Sequence, residues 1–188
     1  MKKKTVVAFL VAFCAVFVFS ACDEYDRIEI RDPYDYGTGI VPTENYQEID
    51  CEIADEFFTT SSDSLSSRYL VATSLSQFKE WCEDRKLPYF DETSDCYYSQ
   101  KSVGMRQTYT DGYFEENTLV LINYVMSSYD TFYIDGLRLS DGFLTVVGVR
   151  PKGEYPTDDV ITSYFGIFEV AKEDVSGVKV INIAFMKK

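Results

Sequence analysis

Histidine is missing altogether from this chain of 188 residues. That one absence removes Ser-His-Asp and Cys-His catalytic centres, imidazole-based zinc sites and histidine pH switches. Basic residues are scarce, with 18 Lys and Arg against 31 Asp and Glu and a net charge of −13. This balance argues against binding a nucleic-acid backbone. No Cys-x-x-Cys pair occurs, so neither a thioredoxin-like site nor a zinc knuckle is suggested. Glycine-rich phosphate loops are missing too, since Gly104 and Gly112 stand alone. What the chain does have is apolar and aromatic: 46% hydrophobic residues, with 15 Tyr and 14 Phe. That content is too high for wholesale disorder, and the length fits one domain plus tails.

The amino terminus reads as a leader. Lys2, Lys3 and Lys4 precede an uncharged, mostly apolar stretch over 5–19, which is too short for a permanent membrane span. Phe19, Ser20, Ala21 and Cys22 follow, and then the acidic Asp23, Glu24 and Asp26. The small residues before Cys22 suit a peptidase that needs narrow side chains beside its cut. This boundary resembles the lipobox of bacterial lipoproteins, with Phe19 where Leu is usual. The resemblance implies that 1–22 is a lipoprotein signal peptide and that Cys22 is acylated and becomes the first mature residue. It also implies a cell-membrane location, lipid-anchored on the extracytoplasmic side, with membrane lipid as the first partner. The remaining readings are plain secretion and a retained anchor. Loss of the three lysines takes the basic count from 18 to 15 and the net charge from −13 to −16. Acidic headgroups would repel such a body, so it should stand off the surface on a tether. Residues 23–50 supply one: they are rich in charge and are broken by Pro33, Gly37, Gly39 and Pro42.

The remaining cysteines are Cys51, Cys82 and Cys96, an odd number that allows one internal bridge at most. Cys82 and Cys96 enclose a loop of a length suited to a disulfide, and export permits one. Alternatively, both are small buried hydrophobes. With no His to deprotonate it and Glu80, Glu83 and Asp84 nearby, Cys82 is poorly placed as a nucleophile.

The body, 51–188, reads as one β-rich domain. Ser74 with Gln77 three residues on has capping-box spacing. Leu75, Phe78, Trp81 and Cys82 then form one apolar face, which predicts a helix over about 75–86, ended by Pro88. Residues 68–73 read as a strand, 52–67 as a stretch ending in a Ser-rich loop, and 91–112 as a polar connection. Beyond 113, five strands are expected. The first, over 119–126, is almost continuously apolar, as in a strand covered on both faces. Asp135–Gly136 suggests a bulge and Asp141–Gly142 a hairpin turn. The spacing predicts a mainly β fold (α+β only in a minor way): an antiparallel β-sandwich or partial barrel with one short packed helix.

Residues 111–122 (DGYFEENTLVLI), the SSY turn at 127–129, the DG-x-LTV run at 141–146 and FGIFEVAKEDV at 165–175 form a pattern. It is similar to a module of small Gram-positive surface proteins and lipoproteins, typified by the C-terminal domain of the protease complex-associated PrcB family. The resemblance implies a small β-rich fold and no catalytic signature. It also raises the role of accessory or regulatory subunit of an envelope protease.

Several residues invite a functional reading. Asp130, Asp135, Asp141, Asp158 and Asp159 cluster at strand ends and loops, where carboxylates can bind calcium. No EF-hand spacing is present, and turn aspartates usually stay solvated; no metal or cofactor is expected. Paired carboxylates, or a Ser, also leave open a small hydrolase. Tyr97, Tyr98, Tyr109, Tyr129 and Tyr133 are dense around the sheet and make the candidate binding surface, for a protein, peptide or glycan. Half-buried strand tyrosines are the alternative. Lys101 and Arg106 flank the polar connection. The leading expectation is a non-catalytic, surface-anchored binding or assembly module with no nucleic-acid partner.

Overall fold

The computed structural model describes residues 41–60, 67–126, 132–150 and 162–187. Within them the chain forms eight strands and three helices: β1 (Gln47–Ile49), β2 (Cys51–Thr60), β3 (Arg68–Ala72), α1 (Leu75–Asp84), α2 (Gln100–Thr108), α3 (Tyr113–Glu116), β4 (Asn117–Met126), β5 (Tyr133–Ser140), β6 (Phe143–Arg150), β7 (Thr162–Ala171) and β8 (Val180–Lys187). The strands make two four-stranded sheets, ordered β1-β5-β6-β8 and β2-β7-β4-β3. The fold is a mainly β sandwich.

Period-2 alternation explains how one strand serves two cores. On β4, Val120, Ile122 and Tyr124 face the first sheet, while Leu119 and Leu121 face the helices. On β7, Tyr164, Phe168 and Val170 face the first sheet, while Phe165 and Ile167 face the helices. The nearly unbroken apolar run of β4 follows from this double burial, as its composition predicts. The molecule therefore has three layers: sheet, sheet and helices. The helices cover the outer face of the second sheet.

α1 starts as expected. Gln77 N–H donates to Ser74 Oγ at 3.3 Å, and the Gln77 Oε1 accepts from Thr73 N–H at 2.7 Å. Phe78, Trp81 and Cys82 are its buried residues. The helix closes at Asp84, and Lys86 takes a positive φ of 54° so that Leu87 N–H reaches Cys82 O at 2.8 Å. The stop thus precedes Pro88. The hairpin at Asp141–Gly142 forms, with φ of 51° and 82°, as a primed turn requires. The β5–β6 register shifts between Ile134 and Gly136, at the expected bulge.

Four features depart from the sequence reading. The end of the stretch read as tether forms β1, which pairs with β5. Arg138 fastens the preceding residues: its Nη1 donates to Pro42 O at 2.9 Å, and its guanidinium lies 4.4 Å from the Tyr46 ring centre. β2 occupies 51–60, within the stretch that leads to the Ser-rich loop; its strand pattern is hidden because alternation is interrupted by a bulge between Ile53 and Asp55. The polar connection contains α2 and α3; α2 buries only Ser102 and Met105, so it has no apolar stripe to read. Finally, β6 and β8 pair in parallel. β7 lies in the other sheet, so the chain returns to the first sheet running in the direction of β6.

Two glycines make room for aromatic rings that lie over them from neighbouring positions of their own sheet. A Cβ built on Gly148 would lie 2.6 and 2.7 Å from two ring carbons of Phe185. The Phe185 ring is itself held by Phe132 at 5.0 Å and Tyr124 at 5.5 Å, with Arg150 4.1 Å above it. Gly166 makes the same allowance for Phe168 and Tyr164. Gly148→Ala is therefore expected to destabilise the fold by about 1–3 kcal/mol, the usual cost of overpacking. Urea denaturation measures this, and an unchanged midpoint would refute the close packing.

Candidate functional site

The polar groups of greatest interest lie where the second sheet meets the helices. The β2 bulge aims Asp55 at the helix layer rather than at the other sheet, because one extra residue shifts the alternation. Its side chain is buried, and a lone buried carboxylate is costly unless paired and hydrogen-bonded. Tyr89 OH donates to Asp55 Oδ2, and Lys101 Nζ of α2 lies 2.5 Å from Oδ1. Lys101 also sits 5.4 Å from the centre of the Phe57 ring. One strand side chain thus ties down both α2 and the connection before it.

A second carboxylate does the same for α3. Glu169 of β7 accepts from Tyr109 OH at 2.7 Å through Oε1 and from Tyr113 OH at 3.2 Å through Oε2. The two tyrosine rings meet edge to face at 5.0 Å, and Phe78 of α1 meets Tyr109 at 5.2 Å. Glu52 is the cross-strand partner of Glu169. Burial, reinforced by these carboxylates, pushes the Tyr89, Tyr109 and Tyr113 hydroxyls well above the ordinary phenol range. Burial does the same to Tyr69, and to Tyr164, whose OH reaches Glu56. As neutral donors these hydroxyls bind carboxylates well and serve poorly as bases or nucleophiles. Asp55 and Glu169 are both held from two sides, an arrangement that clasps the helices to the sheet.

The expected tyrosine surface is not contiguous. Tyr97 is half-buried and Tyr98 is 83% exposed, both in the connection between α1 and α2. Tyr109 is buried, packed on Phe78 and spent on Glu169, which removes it from any binding surface. Tyr133 is exposed on β5, in the other outer layer. Tyr129 and Cys22 lie outside the described residues, as do Asp130, Asp158 and Asp159. Asp135 and Asp141 are exposed turn and bulge residues. Cys82 and Cys96 are free thiols rather than a bridge: Cys82 is buried under α1, whereas Cys96 is exposed in the connection. Burial raises the Cys82 thiol far above its usual value, and burial with Asp50 raises Cys51. Among the described residues no group of three or more Cys, Asp or Glu is placed to hold a metal, and no helix is long and apolar enough to cross a membrane.

Asp55, Tyr89 and Glu169 escape a reading of the sequence because the fold joins residues far apart in the chain. Arg106, noted only as a flanking charge, turns out to organise the Tyr97–Tyr98 connection. No family model, curated protein or solved structure matches this chain.

Five tyrosines with raised pKa give a pH dependence of known sign. They stay neutral in the folded chain, whereas in the unfolded chain they ionise near the ordinary value of 10. Their contribution is complete below pH 10 and is lost as pH rises beyond it. Thermal melts should therefore show a steep fall in midpoint above pH 10, accompanied by tyrosinate absorbance on unfolding. Ionisation of the full complement of tyrosines while the chain is still folded, with no further tyrosinate absorbance gained on unfolding, would contradict the burial of these five.

Proposed function

We propose that this chain is a lipid-anchored surface protein whose β-sandwich serves as a non-catalytic binding or assembly module. The observation that carries the anchor is the Ser20–Ala21–Cys22 boundary, placed between a lysine-led apolar leader and an acidic segment. Two or more acyl chains on Cys22 would hold it stably, where a single chain binds only reversibly. The fold is compatible with this reading. The described chain enters through β1 in one outer layer, and the helices form the opposite outer layer. The binding role is supported by how the carboxylates and thiols are used. Asp55 and Glu169 are committed to neighbouring side chains, and the buried Cys82 is held as a neutral thiol.

Growth with a radiolabelled or alkyne-tagged fatty acid tests the anchor. The wild-type chain should carry the label and fractionate with membranes, while Cys22→Ser should do neither. An unlabelled wild-type chain would overturn the anchor.

A further inference from the structure

The connection from α1 to α2 presents one aromatic ring to solvent on a braced base. Arg106 of α2 closes its base: Nη1 donates to Tyr89 O at 2.6 Å and Nη2 to Tyr97 O at 2.8 Å. The same guanidinium lies 3.7 Å from the centre of the Tyr97 ring. Tyr98 then stands edge to face on Tyr97, at 5.0 Å and 88°, and remains 83% exposed. Successive turns fix the backbone between them, with Tyr97 N–H on Ser94 O at 3.0 Å and Ser99 N–H on Cys96 O at 3.0 Å. An exposed aromatic on a backbone already held by hydrogen bonds leaves less entropy to lose on binding, which suits an interface anchor.

Charge selects the partner. The cations around the connection are occupied: Lys101 by Asp55, Arg106 by two carbonyls and a ring, and Lys79 over Phe90 at 5.5 Å. Glu92 and Asp95 are exposed and form no ion pair with the described residues. Negative charge therefore remains on the connection that carries Tyr98, and a planar guanidinium both stacks on aromatic faces and pairs with carboxylates, a combination that suits Arg better than Lys.

We propose that Tyr98, braced by Tyr97 and Arg106, is the anchor of a docking surface for an arginine-bearing segment of a partner protein. This deepens the binding-module reading and rests on it.

The test uses the full chain in a non-ionic detergent and four fluorescent pentapeptides alternating Gly with Arg, Lys, Glu or Ser, followed by anisotropy. The Arg peptide should bind more tightly than the Lys peptide, with the Glu and Ser peptides not binding. Tyr98→Ala should weaken the Arg peptide about fivefold, the scale of an exposed cation–π contact, while Tyr98→Phe stays within about twofold. Glu92→Gln with Asp95→Asn should weaken it further and flatten its salt dependence. Equal affinity of the wild type and Tyr98→Ala would overturn the proposal, as would tighter binding of a cell-wall oligosaccharide at Tyr98. Fatty-acid labelling is independent of these outcomes. A labelled chain that ignores the Arg peptide sinks only this proposal, and an unlabelled chain that binds it sinks only the anchor.

Discussion

β4 and β7 are denied solvent on both sides, and the rest of the molecule follows from that constraint. Their paired backbones form the middle of the second sheet, with alternate side chains sent into two separate cores. Each large apolar side chain taken fully out of water contributes roughly 1.5–3 kcal/mol. That gain requires a cover on each face. The first sheet covers one and the helices the other. The short, weakly amphipathic α2 is there because a sheet face carrying Leu119, Leu121, Phe165 and Ile167 cannot be left bare.

The same constraint explains the carboxylates. A helix as polar as α2 has little apolar surface with which to hold itself down. Asp55 and Glu169 supply the missing attachment through Lys101, Tyr89, Tyr109 and Tyr113. Burying a carboxylate is favourable only when its partners are complete, so these contacts fix one arrangement of the helix layer more than they add stability. A rigid helix layer is in turn what allows Arg106 to hold the Tyr97–Tyr98 connection in place.

Legibility in the sequence followed the range of the interactions. The double burial of β4, the Ser74 cap, the Asp135–Gly136 bulge and the Asp141–Gly142 hairpin are written in neighbouring residues and were readable. The mainly β class followed from them. β2 was obscured because its bulge breaks the period on which strands are recognised, and α2 because its burial depends on one methionine and one serine. The site was harder still. Tyr89 lies 34 residues from Asp55, and Tyr109 lies 60 from Glu169, so neither pairing leaves a local signal. Tyr109 and Tyr98 look alike in sequence, yet one is a core residue and the other almost fully exposed.

Native-state amide hydrogen exchange tests the central role of the doubly buried strands most directly. Amides of β4 and β7 should be the slowest in the chain and exchange only through global unfolding, while those of β1 and α2 should open earlier and locally. If the amides at 119–123 of β4 exchanged as fast as those of β1, the two-sided burial on which the account rests would be contradicted.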